Sequence, residues 1–207
     1  MTLKLAIAGA AGRMGRELAR LVHATDGCTL AGGLEAKGSP HVGADYGELI
    51  GAGKLGIAIS DDPAAVLANV DGIIDFTVPK ATLSLVGLTA AQKKIHVIGT
   101  TGIDAAGDNL IRDAAAKTTI VKTGNFSLGV NLLAALVKKA AATLGEDFDI
   151  EVLEMHHRMK IDAPSGTALL LGKAAADGRD ISLKDRSVRV RDGHTGARNP
   201  GDIGFAT

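Results

Sequence analysis

Aromatic residues are nearly absent from this chain of 207 residues. Only 2% of the residues are aromatic, with no Trp and a single Tyr, Tyr46. Proteins that bind single-stranded nucleic acids stack bases on aromatic side chains, so we do not expect this class. Lys plus Arg and Asp plus Glu number 23 each. This balance gives no reason to expect a nucleic acid or a membrane surface as a partner.

Cysteine and long apolar runs are also scarce. The single cysteine, Cys28, has no internal disulfide partner, which suits a reducing cytoplasm, and a small apolar strand residue is its simplest role. The run LLAALVKKAAATL is interrupted by Lys138 and Lys139, so no segment is long enough to span a bilayer. The N-terminal segment weakly resembles a signal peptide, but its glycines suit a phosphate loop better than a cleavage site. We therefore predict a cytoplasmic protein.

The composition and the order of the segments predict a folded α/β protein. Hydrophobic residues make up 46% of the chain and charged residues 22%. Short β-type runs such as LKLAIAG and GIIDFT alternate with Ala- and Leu-rich helical runs, which favours a doubly wound parallel sheet. This rhythm changes near Ser127. We predict one domain over residues 1–127 and an α+β domain over residues 128–207.

A glycine-rich motif, GAAGRMG, occupies residues 9–15 between a predicted strand and a predicted helix. Glycine allows a tight turn and a close approach of the backbone to a pyrophosphate, and the N–H groups at the helix start bind the anion. The spacing G-x-x-G-x-x-G departs from the commoner G-x-G-x-x-G, and three such glycines can also be purely structural. The strand–turn–helix context favours a dinucleotide site of the Rossmann type.

Glu35 supports this interpretation, because it ends the second predicted strand about 20 residues beyond the motif. A carboxylate there accepts hydrogen bonds from the adenosine ribose and repels a 2′-phosphate. NADPH would need nearby cations, for which Arg13 and Lys37 are candidates. Three further loops follow predicted strands and are small and polar enough to contact nicotinamide and its ribose, although ordinary turn chemistry explains each equally well. They are DFTVP (75–79), GTTG (99–102) and TGNFS (123–127).

The segment EMHHRMKIDAPSGTA, residues 154–168, concentrates basic side chains before a Pro-Ser-Gly-Thr turn. A zinc site is a poor interpretation, because neighbouring side chains on a strand point to opposite faces and no cysteine is near. An anion pocket fits better if the chain leaves the strand after His157, so that Lys160 and one histidine converge. A solvated basic turn is the simpler alternative, and the density of donors makes it less favoured.

The turn that follows predicts a second anion-binding element. Either Asp162 or Ser165 can cap the next helix, with the proline tolerated near its first turn. The N–H groups of Gly166 and Thr167 would then lie at a helix N-terminus, which suits a carboxylate. Histidine can donate a proton near neutrality, whereas Arg158 is better suited to an ion pair.

Six segments in order closely resemble the dihydrodipicolinate reductase family, which acts in the diaminopimelate route to lysine. They are GAAGRMGREL, DFTVP, VIGTTG, NFSLGVN, EMHHRMKIDAPSGTA and DGHTGARNPGDIGFAT. The resemblance covers essentially all of the chain, and E-x-H-H-R-x-K-x-D-x-P-S-G-T is far more specific than the glycine loop. It implies reduction of 4-hydroxy-tetrahydrodipicolinate, a cyclic dicarboxylate, with hydride from NADH or NADPH. It also implies a homotetramer.

The resemblance assigns roles to residues of this sequence. It makes His156 the proton donor or acceptor and Lys160 a second proton donor, and it assigns no metal. The substrate-binding positions it implies are His157, Ser165, Gly166 and Thr167. The cofactor-binding positions it implies are Gly9, Ala10, Ala11, Gly12, Arg13, Met14, Glu35, Gly99, Thr100, Thr101, Thr123, Gly124, Asn125 and Phe126. Some members carry arginine directly after the ribose-binding acid, where it contacts the 2′-phosphate of NADPH. This chain has Ala36 there, so we expect it to use NADH alone or both NADH and NADPH.

Family members continue beyond the point where this sequence ends at IGFAT. We therefore expect an incomplete second domain, with low or absent activity and altered assembly.

Two other functions remain open. Another amino-acid-pathway dehydrogenase would keep the glycine loop without needing E-x-H-H-R-x-K. A dinucleotide-binding sensor or inactive interaction module would bind NAD(P)H without turnover. A nucleic-acid-binding module is a third and remote alternative, because the net charge is zero and aromatic residues are few.

Overall fold

The first of two compact units is built on a six-stranded parallel sheet. The computed structural model describes residues 2–207, and it divides after Thr123. The strand order is β3-β2-β1-β4-β5-β6. The strands are β1 (Leu3–Ala8), β2 (Cys28–Leu34), β3 (Ile59–Ser60), β4 (Gly72–Asp75), β5 (Ile95–Ile98) and β6 (Ile120–Lys122). The order reverses between β1 and β4, which leaves a crevice at the carboxyl edge where such sheets bind ligands.

Five helices cover both faces of this sheet. They are α1 (Arg13–Ala24), α2 (Tyr46–Ile50), α3 (Pro63–Ala68), α4 (Pro79–Ala91) and α5 (Ala105–Ala115). Strand β1 shows why helices must pack on both faces of the sheet. Its Ile7 packs in one core cluster with Val22 of α1, and its Ala6 packs in another with Leu85 of α4. Alternate side chains of a strand point to opposite faces, so the predicted doubly wound sheet is confirmed.

The second unit, residues 124–207, packs helices against a small sheet. Its strands β7 (Ile150–Leu153), β8 (Ser187–Val188) and β9 (Ile203–Ala206) pair in the order β7-β9-β8. Its helices are α6 (Leu128–Leu144), α7 (Gly166–Gly178) and α8 (Leu183–Arg186). Small residues let these elements approach closely, because a Cβ at Gly178 would lie 2.4 Å from the Lys138 carbonyl of α6. This α+β arrangement is also as predicted.

Two segments of the second unit differ from the sequence-based expectation. The strand expected through His157 ends at Leu153, and beyond it the Glu154 N–H still donates to the Ala206 carbonyl of β9 at 3.0 Å while the Glu154 carboxylate contacts Ser165. The sequence SVRVRDG, residues 187–193, also predicts a strand, but only Ser187 and Val188 form one. Among the helices described in residues 2–207, none is both long and apolar enough to cross a membrane.

The glycine loop gives a direct test of close packing. A Cβ on Gly15 would lie 2.1 Å from the carbonyl oxygen of Gly9, whereas a Cβ on Gly87 of α4 would meet nothing within 4 Å. We predict that Gly15→Ala lowers the free energy of unfolding by about 1–3 kcal/mol through overpacking. Gly87→Ala, the matched control, should raise it by about 0.5–1 kcal/mol, because alanine loses less entropy in a helix. Urea unfolding measures both, and equal stability of the two variants would contradict the prediction.

Candidate active site

The glycine loop joins the buried strand β1 to the start of α1. Gly9 has φ +68°, a left-handed conformation that favours glycine, and its N–H donates to the Leu34 carbonyl at 2.8 Å. Gly12 is the N-cap of α1, and no side chain caps it. The first turn contains no acidic residue. The loop therefore presents a helix N-terminus without a competing carboxylate in that turn, as a pyrophosphate site requires.

Glu35 lies directly against this loop. Its Oε1 accepts a hydrogen bond from the Ala11 N–H at 2.7 Å, and its Oε2 accepts one from the Ala36 N–H at 3.3 Å. Glu35 and Arg13 line a cavity of about 530 Å³ together with the glycine loop. Glu35 and Lys37 also line a neighbouring cavity of about 760 Å³. The structure thus brings the predicted ribose-binding acid, both candidate cations and the phosphate loop together.

The loops after β4 and β5 complete the carboxyl edge of the first sheet. Phe76 and Thr77 line the smaller of these two cavities. Gly99 packs behind them, since a Cβ there would lie 2.2 Å from the Phe76 ring. The Thr100 side chain is 4% exposed, and its hydroxyl accepts a hydrogen bond from the Thr77 N–H at 3.1 Å. Thr100 therefore contributes to this edge by fixing its neighbours, while Thr101 is exposed.

The basic segment of the second unit surrounds a separate cavity of about 250 Å³. His156, His157, Arg158 and Lys160 line it, and so does Asp162. The chain leaves β7 four residues before the point expected, so both histidines lie in a loop rather than on a strand. The histidines can therefore share one cavity, which the alternation of a strand would have prevented. Across residues 2–207, no three His, Cys, Asp or Glu side chains are placed to hold a metal ion.

Two contacts order the side chains around this cavity. The Met159 N–H donates to His157 Nδ1 at 3.2 Å, which leaves the His157 proton on Nε2. Lys160 forms an ion pair with Asp162. The hydrogen bond and positive charge from Lys160 hold the pKa of the Asp162 carboxyl below its ordinary value of 3.8. Asp162 is largely exposed, so water screens this pair and it contributes little to stability.

The helix that follows is capped by Ser165, not by Asp162. The Ser165 hydroxyl accepts a hydrogen bond from the Ala168 N–H at 3.1 Å and is buried. Gly166 and Thr167 are the first residues of α7, as the sequence predicts for an anion-binding turn. Thr167 also accepts a hydrogen bond from Asn125 Nδ2 at 3.4 Å, so the predicted 123–127 loop reaches this turn. Gly124, Asn125 and Phe126 belong to the second unit and Thr123 to the first.

Glu154 is a functional candidate that the sequence reasoning missed. Its carboxylate accepts hydrogen bonds from the Ser165 N–H at 2.7 Å and from the Ser165 hydroxyl. Burial would raise the pKa of Glu154, but these two bonds hold it below the ordinary value of 4.5. Its Oε2 also lies 3.7 Å from His156 Nδ1. Glu154 therefore links the helix cap to the predicted proton donor. Its position as the first residue of EMHHRMK is the sequence feature from which its role could have been predicted.

Comparison with known proteins gives one consistent result over nearly the whole chain. The family model "Dihydrodipicolinate reductase, N-terminus" matches residues 3–126, and "Dihydrodipicolinate reductase, C-terminus" matches residues 129–207. The chain belongs to the dihydrodipicolinate reductase family. The 4-hydroxy-tetrahydrodipicolinate reductase of Brucella melitensis biotype 1 is 60% identical over 204 residues, which is 98% of this chain and 76% of that protein. The same enzyme from Parvibaculum lavamentivorans is 56% identical over 206 residues, which is 99% and 76%.

Solved structures agree on the fold. A dipicolinate-bound dihydrodipicolinate reductase from Paenisporosarcina sp. TG-14 superimposes with a TM-score of 0.72 at 23% identity, over 100% of this chain and 78% of that one. The scyllo-inositol dehydrogenase of Lactobacillus casei with bound NAD(H) gives 0.52 at 16% identity, over 74% and 44%. Likeness at such identities shows the fold alone. The family assignment therefore depends on the close relatives and the two family models.

Glu35 gives a test of the cofactor site. We predict that Glu35→Ala weakens NADH binding about tenfold, because the adenosine ribose loses a charged acceptor. NADPH binding should change less, because the carboxylate that repels a 2′-phosphate is removed. Glu17→Ala, which removes an exposed α1 glutamate paired with Arg20, is the control. Fluorescence titration of both nucleotides measures the effect, and unchanged NADH affinity in Glu35→Ala would rule out the ribose role.

Proposed function

We propose that the chain reduces 4-hydroxy-tetrahydrodipicolinate with NADH or NADPH, using His156 and Lys160 as proton donors. The main observation behind this proposal is a cavity in the second unit that is lined by His156, His157, Arg158 and Lys160. The substrate is a ring with two carboxylates, and a cluster of cations and N–H donors is the chemistry that recognises it. The relatives that carry this activity in their names are 55–60% identical to the chain.

The reaction requires a hydride and a proton, and the 4-hydroxyl group leaves as water. When the nucleotide is bound, its nicotinamide supplies the hydride to the polarised ring, and the protein supplies position and field. A side chain of the enzyme must deliver the proton, and the negative charge that develops needs a cation nearby. The imidazole of His156 is a side chain that can donate a proton, and Lys160 supplies positive charge beside it. Both line the same cavity, which supports assigning them to this step.

The first turn of α7 supports the binding of a carboxylate. Ser165 caps the helix, and its own N–H and hydroxyl are held by Glu154. The N–H groups of Gly166 and Thr167 are then placed at a helix N-terminus, which favours an anion. We assign substrate binding to these two backbone groups together with His157. Ser165 contributes by fixing the turn, since its hydroxyl donates to Glu154 and accepts from the Ala168 N–H.

The first unit supplies the cofactor site in this proposal. Its glycine loop takes the pyrophosphate, Glu35 takes the adenosine ribose, and the loops after β4 and β5 take the nicotinamide half. Because Ala36 follows Glu35, we propose that NADH is used at least as well as NADPH, with Arg13 and Lys37 available to a 2′-phosphate. We place the boundary between the cofactor and substrate domains at residues 127 and 128, at the start of α6.

Cellular placement and assembly belong to this proposal too. A reducing compartment suits both the reduced cofactor and the lone Cys28, so we assign the enzyme to the cytoplasm. The homotetramer that the family resemblance implies stays a prediction.

A coupled assay tests the function. The preceding synthase should make the substrate freshly in the cuvette while NADH or NADPH oxidation is followed at matched concentrations. We expect oxidation that depends on the synthase product, with NADH at least as effective as NADPH. Another pathway dehydrogenase would oxidise the nucleotide only with its own substrate. Nucleotide binding without turnover would instead favour the sensor or inactive module.

Lys160 has two possible roles, proton donation and charge. We predict that Lys160→Ala lowers kcat by about 10²–10⁴-fold, the usual contribution of a positioned acid. Lys160→Arg keeps the charge but does not release protons. An equally low kcat in Lys160→Arg would therefore assign donation, and recovery would assign charge. Lys173→Ala, which breaks a similar Lys–Asp pair on α7, is the control. Intact kcat with only a raised KM in Lys160→Ala would contradict the donor role.

A further inference from the structure

A polar network lies buried under the carboxyl edge of the first sheet. Its members are 0–4% exposed, and they come from β4, α4, β5 and the loop after β5: Asp75, Thr82, Thr89, His96 and Thr100. A buried charge costs free energy unless it is paired and hydrogen-bonded. The presence of such a network in the core of a sheet therefore indicates a structural or functional role. The sequence reasoning gave Asp75 and His96 no role, and the reaction proposed above does not use them directly.

Asp75, at the end of β4, ties together the two loops that follow β4 and β5. Its Oδ1 accepts hydrogen bonds from the Thr77 N–H at 2.9 Å and from the Thr77 hydroxyl at 2.6 Å. The same oxygen accepts one from the Thr100 hydroxyl at 3.4 Å. Thr100 in turn accepts a hydrogen bond from the Thr82 hydroxyl of α4 at 2.8 Å. One carboxylate therefore fixes residues on both loops, and α4 supports it from behind.

His96, in the neighbouring strand β5, holds the other oxygen of this carboxylate. Its Nε2 lies 3.3 Å from Asp75 Oδ2, and its Nδ1 lies 3.2 Å from the Thr89 hydroxyl. The Thr89 hydroxyl also lies 3.1 Å from the Val86 carbonyl, so it joins the imidazole ring to α4. One ring nitrogen of His96 therefore contacts α4 and the other contacts Asp75.

The Asp75 carboxylate is kept ionised by these donors. Burial would raise the pKa of Asp75, but hydrogen bonds from His96 and Thr77 hold it below the ordinary value of 3.8. A carboxyl whose pKa is lowered by folding adds stability above its unfolded pKa and loses it as the pH falls. The network is therefore fully formed at neutral pH. An ionised acceptor holds its donors more tightly than a neutral one does.

One of the two residues that Asp75 holds is in direct contact with the proposed cofactor cavities. Thr77 lines both of them. A Cβ on Gly9 would lie 3.0 Å from Thr77 Cγ2, so Thr77 also packs against the glycine loop. Gly99, beside Thr100, packs against the Phe76 ring. A small displacement of Thr77 or Thr100 would therefore change the shape of the walls that face the nucleotide.

We propose that Asp75, held by His96, is a positioning residue that sets the loops 75–79 and 99–102 for the nicotinamide half of the cofactor. This inference rests on the proposed function, because it takes the carboxyl edge of the first sheet as the nucleotide site. Asp75 touches no substrate or cofactor itself. It acts through Thr77 and Thr100.

The test separates positioning from stability. Asp75→Asn keeps the size of the side chain but removes its charge, and Thr89→Val removes only the hydroxyl that contacts His96. Thr118→Val is the matched control, because the Thr118 hydroxyl bonds the Lys94 carbonyl at 2.8 Å at the opposite edge of the same sheet. For each variant, the NADH dissociation constant, kcat and KM are measured at a temperature where unfolding curves show the protein to be folded.

We expect Asp75→Asn to raise the NADH dissociation constant about tenfold and Thr89→Val about threefold, as the loss of charged or neutral hydrogen bonds implies. We expect Thr118→Val to lower stability and leave NADH binding unchanged. Wild-type NADH affinity and kcat in both Asp75→Asn and Thr89→Val would overturn the inference, whatever their stability. If Asp75→Asn does not fold, Thr89→Val alone decides in the same way. Failure of the wild-type chain to bind NADH would instead overturn the proposed function, and this inference with it.

Discussion

A carboxylate at the carboxyl end of a strand organises each part of the site. Glu35 follows β2 and accepts the Ala11 N–H at 2.7 Å, Asp75 ends β4 and accepts the Thr77 N–H at 2.9 Å, and Glu154 follows β7 and accepts the Ser165 N–H at 2.7 Å. In each case the acceptor fixes a backbone segment that carries functional groups. Loops are the most mobile parts of a domain, and these contacts tie functional loops to the rigid sheets beneath them.

The three carboxylates differ in exposure, and their roles follow from this. Asp75 is fully buried and has donors on both oxygens, so its charge serves the protein alone. Glu35 is only partly buried and lines both cavities beside the glycine loop, so in the proposed function it exchanges its bond to Ala11 for bonds to a ribose. Glu154 is also only partly buried, and it faces both Ser165 and His156. Burial therefore separates a carboxylate that positions the backbone from one that can also bind a ligand.

The sequence by itself determined the fold class and the family, and it predicted the residues that gather around the glycine loop and around the basic cavity of the second unit. Alternating apolar strands and Ala-rich helices are local patterns, and they predict a doubly wound sheet because strands buried on both faces need helices on both sides. The order of GAAGRMG, Glu35 and EMHHRMK predicts a dinucleotide loop, a ribose-binding acid and a cationic cavity without coordinates. These features are readable because each lies within one short stretch or at a fixed spacing from another.

Only the tertiary structure decided how these groups are held. Asp75 is 21 residues from His96 and 25 from Thr100, yet β4 and β5 are adjacent and parallel, so their carboxyl ends meet. Glu154 and Ser165 are 11 residues apart, and their contact holds the residue that caps α7 against the end of β7. Local patterns do not encode such pairings, because they depend on which strands and loops become neighbours in the fold.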